Sequence, residues 1–99
     1  PDVSFIRDAT RIPPDGPILG MPDLAVEILS PGQSERFLLD KALAYLSYGA
    51  TMVWLIYPHK RLVEVLTASE RRLLCEEDNL EGGALLPGFS TPIKALFNP

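Results

Sequence analysis

The sequence predicts an α/β (α+β) domain: a mixed sheet built on a βαβ crossover and continued by an antiparallel hairpin. Three observations carry this reading. Leu24 to Leu29 (LAVEIL) and Met52 to Tyr57 (MVWLIY) are almost wholly apolar, the pattern of strands covered on both faces. The segment between them has helical periodicity. After them, two strand-like runs flank the turn residues Thr67-Ala68-Ser69.

In chain order, Val3 to Arg7 (VSFIR) predicts a strand, with Val3 and Phe5 on one face and Asp2, Ser4 and Ile6 on the other. Residues 8–22 are rich in Pro and Gly and predict a loop. LAVEIL follows as a central strand, broken by Ser30-Pro31-Gly32. A helix is expected from about Ser34, its N-cap, to Tyr48, with Gly49 as the stop. Leu38, Leu39, Ala42, Tyr45 and Leu46 form its apolar stripe, while Arg36, Asp40 and Ser47 face solvent. Strand, helix and strand at this spacing form a βαβ unit, expected right-handed with parallel strands. Pro58-His59-Lys60 turns the chain, and Arg61 to Leu66 and Arg71 to Glu76 predict antiparallel strands. Residues 77–90 read as an acidic, Gly-containing loop and Pro92 to Phe97 as a short terminal helix.

A chain of 99 residues holds one domain at most, here residues 1–99, with a thin core. It opens inside a strand-like run without Met, so a domain truncated at its N-terminus is expected. An apolar share of 46% and a charged share of 22% exclude disorder. The longest apolar run, Met52 to Tyr57, is too short to span a bilayer, and residues 1–15 lack the apolar core of a signal peptide. Cys75, the one cysteine, follows Leu73 and Leu74 and reads as a reduced core thiol of a cytoplasmic protein. The net charge of −4 speaks against a general nucleic-acid coat. The charge is uneven: residues 1–61 carry six Lys/Arg against seven Asp/Glu, and residues 62–99 three against six. A phosphate site is therefore expected in the first two-thirds.

Glu27 is the anomaly. A carboxylate inside LAVEIL is costly to bury unless paired or metal-bound, though an edge glutamate reaching solvent also fits. It shares a strand face with Asp23, Ala25 and Leu29. Asp2 opens the preceding strand, where turn chemistry is the plainer explanation. Lys41 lies at the border of the helix stripe, with Phe37 and Tyr45 one turn away on either side; a lysine stretched along apolar surface would sit there too. Together the three change the reading. Two neighbouring strands each bring a carboxylate and the helix packed on them brings an ammonium group. That inventory suits metal-assisted phosphodiester hydrolysis, because Mg²⁺ takes hard oxygens and a lysine can orient water or offset developing charge.

The strings PDVSFI, PDLAVEILSPG, DKALAYLSYGA, MVWLIYP and RLVEVL resemble the Uma-type family, a bacterial branch of the PD-(D/E)XK, restriction-endonuclease-like superfamily. The resemblance runs along essentially the whole chain and corresponds to about the C-terminal half of a typical member. It implies the restriction-endonuclease-like fold and an endonuclease dependent on Mg²⁺ (or Mn²⁺) that hydrolyses DNA. Asp2 matches the first acidic residue of the motif and Glu27 the second. The motif's lysine would fall at Leu29; Lys41 on the following helix matches its relocated form. The resemblance makes Asp2, Glu27 and Lys41 the catalytic set, and Asp2, Glu27 and the Ile28 carbonyl the metal ligands. Asp23 matches a recurrent acidic position of the branch. The superfamily also supplies a glutamate from a helix preceding the first strand, outside this sequence.

Other candidates are weaker. His59 reads as a surface turn residue and Gly32 to Ser34 as a helix cap rather than a phosphate cradle. Trp54 and the tyrosines fall at core positions rather than forming base-stacking platforms, and Glu76-Glu77-Asp78 lacks EF-hand spacing. Two functions remain: a metal-dependent endonuclease with nucleic acid, DNA, as partner and no membrane, or a non-catalytic binding or dimerisation module that keeps the fold. The acidic charge and Leu29 favour the second, the Asp2, Glu27 and Lys41 set the first. A homodimer or higher assembly is expected, because apolar sheet or helix surface, including some of the stripe around Leu38 and Tyr45, is left open.

Overall fold

The structure, a computed structural model, describes residues 2–15 and 20–98. The part of the predicted loop at residues 16–19 lies outside the described residues. The elements are β1 (Val3–Phe5), β2 (Leu24–Ile28), α1 (Glu35–Ser47), β3 (Met52–Tyr57), β4 (Leu62–Leu66), β5 (Arg71–Leu74), β6 (Asn79–Glu81) and β7 (Ser90–Pro92), with short 3-10 turns at Ala9–Arg11 and Ile93–Leu96.

Strands β1 to β5 form one sheet in chain order. The two apolar runs, β2 and β3, lie side by side and parallel, with Glu27 opposite Leu55. The other three pairings are antiparallel. α1 crosses from β2 to β3 over one face. Its ends follow the sequence: the Ser34 Oγ accepts from the Phe37 N–H at 3.0 Å, and Gly49 at φ 114° carries the chain out in a conformation that side chains resist.

Alternation along the strands divides the core in two. Ala25, Val53, Leu55 and Tyr57 meet Leu38 and Ala42 of α1. On the opposite face Val26, Trp54, Val63 and Leu74 meet Leu80, Leu85 and Ile93 from the C-terminal third. Covering both faces of β2 and β3 explains why neither run alternates with polar residues.

Several expectations are corrected. The strand predicted to Arg7 ends at Phe5, because the Arg7 N–H turns away to the Asp23 carboxylate at 2.7 Å. Residues 77–90 are not simply a loop: β6 and β7 pair within and beyond that stretch, and Leu80 and Leu85 seal the sheet. The terminal helix is a 3-10 turn at Ile93–Leu96. Cys75 is exposed, not in the core, because β5 ends at Leu74 and Asp78 bonds both the Cys75 backbone and its thiol. Leu38 is fully covered by the sheet, so it offers no open surface; Phe37, Leu43 and Tyr48 do, Tyr48 at 77% exposure. No helix among the described residues is long and apolar enough to cross a membrane.

Candidate active site

Glu27 is 3% exposed, near the C-terminal end of β2. It shares the α1 face with Ala25, while Val26 belongs to the opposite cluster. The carboxylate thus lies beneath the helix. The Lys41 Nζ reaches its Oε1 at 2.5 Å, and the Tyr45 hydroxyl donates to its Oε2 at 3.4 Å. Lys41 and Tyr45 meet the same carboxylate because positions four apart stack on one helix face. Phe37, a turn earlier, places its ring 5.5 Å from the Lys41 Nζ.

The Lys41 side chain is one-third exposed, at 33%. The bond to Glu27 raises its ammonium above the usual lysine range, against an opposing pull from partial burial. Burial, reinforced by Glu27, pushes the Tyr45 hydroxyl upward as well. Both groups therefore remain protonated donors near neutral pH.

Asp2 meets the same strand end from β1. Val3 pairs with Val26, so one step along the antiparallel ladder Asp2 stands across from Glu27. Its amide donates to the Val26 carbonyl at 2.9 Å, and its Oδ2 accepts from the Ile28 amide at 2.7 Å. In an extended strand the N–H and C=O of one residue point the same way, so the Ile28 carbonyl faces the Asp2 side. Asp2 and Glu27 are thus cross-strand neighbours, and the Ile28 backbone adjoins the Asp2 carboxylate. Among the described residues no three His, Cys, Asp or Glu side chains gather as a metal centre. This set nevertheless fits Mg²⁺, which keeps several waters and needs few protein oxygens.

Asp23 is not part of this group. Its carboxylate accepts from the Arg7 amide and lies 3.5 Å from the Arg11 guanidinium. Four residues of strand separate it from Glu27, about 13 Å. His59 lies exposed in the β3–β4 turn. Trp54 is buried and stacks on Phe89 at 5.7 Å, on the face away from α1.

Two residues escaped the sequence reading. Tyr45 reads as apolar stripe, yet its position one turn from Lys41 could have marked it. Glu64 is the second buried carboxylate, 5% exposed; it accepts from the Tyr57 hydroxyl at 3.0 Å and pairs with the Arg71 guanidinium. Its signal is a glutamate between Val63 and Val65, the same break in an apolar run as in LAVEIL.

A five-stranded mixed sheet with one crossover helix over its parallel β2–β3 pair and a small two-stranded sheet defines a mixed α+β fold class. Residues 1–94 match the Uma2 family, described as "Putative restriction endonuclease", and the chain belongs to that family. A crystal structure of a "putative nuclease belonging to DUF820" from Anabaena variabilis ATCC 29413 is similar, with a TM-score of 0.83 and 33% identity. The similarity covers 98% of this chain and 58% of that one, so this chain spans little more than half of its neighbour. No curated protein matches it.

Proposed function

We propose that this chain is the catalytic core of a metal-dependent endonuclease that hydrolyses phosphodiester bonds of DNA and acts as a homodimer. The observation that carries the proposal is the Lys41 ammonium 2.5 Å from a Glu27 carboxylate that is itself buried beside Asp2. Of the three, Glu27 alone is buried, and burying it is costly without a use for its charge.

Asp2, Glu27 and the Ile28 carbonyl would hold Mg²⁺ or Mn²⁺. When bound, the ion would lower the pKa of its water and neutralise phosphate charge. Lys41, kept protonated by Glu27, is placed to orient the attacking water and offset charge on the phosphate oxygens. Tyr45 fixes the second Glu27 oxygen, so the carboxylate is held in one orientation before substrate arrives. A homodimer suits cleavage of both strands of a duplex, and exposed Val3, Phe37, Leu43 and Tyr48 supply apolar surface for it.

One observation favours the other reading, a non-catalytic module: both Glu27 oxygens already have partners inside the protein. A plasmid-nicking assay on the full-length protein with Mg²⁺ and with Mn²⁺ separates the two. The nuclease reading expects nicking by wild type and none by Glu27→Gln. A wild type inert on every nucleic acid tried would establish the module instead.

A further inference from the structure

On the flank of α1 opposite Lys41 and Tyr45 lies a cleft of about 360 Å³ that the reading above does not use. Its base is built from buried polar groups. Tyr57, 5% exposed, donates to Glu64, also 5% exposed, and Glu64 in turn holds Arg71 through Nε. No other hydrogen bond of the Arg71 guanidinium occurs among the described residues, and its side chain is 58% exposed. The two Nη groups are thus left to the cleft. Arg36 and Lys60 stand at its rim.

We infer that this cleft binds a phosphate group, with Arg71 as its fork. A guanidinium oriented from behind by a carboxylate through Nε presents two parallel N–H groups, the geometry that fits phosphate oxygens. Glu64 gains a purpose on this account: its burial fixes the direction of Arg71. The rim cations are held only by exposed carboxylates, Lys60 by Glu35 at 2.7 Å and Arg36 by Asp40 at 3.1 Å. Such surface pairs are weak and yield readily to a phosphate. Three cations and two carboxylates line the cleft, a positive balance on a chain of net charge −4.

The phosphate belongs to a nucleic-acid strand or to a free nucleotide; the strand source rests on the proposed nuclease reading, the phosphate chemistry does not. Glu27, Leu55 and Glu64 occupy one row across β2, β3 and β4, and α1 covers the middle of that row, so a strand that reached both centres would pass around the helix.

The test is fluorescence anisotropy of the full chain with a short fluorescein-labelled oligonucleotide, in chelator so that nothing is cleaved. Lys60→Ala should weaken binding about three- to ten-fold and lower the salt slope by about one, and Arg71→Lys, which keeps the charge but loses the fork, should weaken binding about as much with the slope little changed. Lys94→Ala, on the far 3-10 turn, should change neither. If Arg71→Lys fails to fold, Lys60→Ala decides alone, since Lys60 is exposed. Competition by AMP and by inorganic phosphate at concentrations near that of the oligonucleotide would assign the site to a free ligand and end the strand source. Equal losses in all three variants, or no binding of oligonucleotide, AMP or phosphate by wild type, would overturn the inference. A protein that binds through Arg71 and Lys60 but never nicks plasmid loses the nuclease reading alone. One that nicks while binding ignores both residues loses this inference alone.

Discussion

Glu27 and Glu64 lie in one cross-strand row, with Leu55 between them, and both face α1. Each has a cation and a tyrosine hydroxyl for partners: Lys41 and Tyr45 for Glu27, Arg71 and Tyr57 for Glu64. The helix that separates them covers β3, so the two centres occupy its opposite flanks. A fully apolar row would pack as well and avoid the desolvation of two carboxylates. The doubled arrangement is costly in stability, and each pair should be sensitive to loss of one partner.

The Tyr57 hydroxyl gives the first prediction. Burial, then its bond to Glu64, raises it above its ordinary value of 10.0. An acid whose native pKa is raised contributes stability that is fully present below its unfolded value and is lost as pH rises through the native one. Tyr57 should therefore hold its proton in alkali until the chain unfolds. A near-ultraviolet absorbance titration should show a late component that coincides with loss of circular dichroism and is missing from Tyr57→Phe. That variant should also lose about 1–3 kcal/mol at neutral pH, since Glu64 stays buried with one donor fewer. Early ionisation of all three tyrosines in the folded protein would contradict the prediction.

Cys75 is exposed but should react slowly. Its thiol lies 2.9 Å from the Glu77 carboxylate and 3.3 Å from Asp78, and Glu77 above all raises its pKa. Little thiolate is then present near neutral pH. Alkylation by iodoacetamide should be slower than for an unstructured peptide thiol and should accelerate in Glu77→Gln. Equal rates for wild type and variant would show that the carboxylate does not control the thiol.

Gly82 closes the loop between β6 and β7. A Cβ there would sit 2.6 Å from the Leu86 carbonyl oxygen, a backbone atom fixed by its residue's own bond back to Gly82. Gly82→Ala should cost about 1–3 kcal/mol, since the hairpin carries Leu80 and Leu85 into the core. For a domain this small the melting temperature should fall by several degrees or more. An unchanged melting curve would mean that the loop shifts freely.

The elements that were legible in the sequence are those whose burial leaves a periodic trace. β2 and β3 declare themselves as apolar runs, and α1 by its stripe between Ser34 and Gly49. β6 and β7 leave none: Asn-Leu-Glu and Ser-Thr-Pro are short, polar strands that bury one leucine through long-range contact. Around Cys75 the pair Leu73 and Leu74 suggests a covered segment, which the structure does not have. β5 is an edge strand, and Leu73 itself is 62% exposed. Glu27 stood out in the sequence because both its neighbours are apolar within a long run. Glu64 did not, because a hairpin strand ordinarily shows one face to water; here α1 and the cleft occupy that face.

The Lys41–Glu27 pair separates the catalytic from the structural account. Lys41→Met keeps the apolar stem and removes the ammonium, leaving Glu27 buried with Tyr45 as its donor and a charge that water reaches poorly. Breaking a fully buried pair costs about 3–5 kcal/mol. Lys41 is one-third exposed, so about 1–3 kcal/mol is the better expectation by urea denaturation. Glu27→Gln combined with Lys41→Met should recover part of that loss, because no unpaired charge remains. Divalent metal moves in the opposite sense. Calorimetry with Mn²⁺ should find weaker binding in Glu27→Gln, which loses a ligand charge, and equal or tighter binding in Lys41→Met, which loses a competing cation. Plasmid nicking should nonetheless vanish in Lys41→Met, since metal alone does not orient the water. A purely structural pair would give the same stability cycle with no Mn²⁺ bound by any form. Cleavage that persists undiminished in a folded Lys41→Met protein would remove the lysine from the mechanism while leaving Asp2 and Glu27 in place.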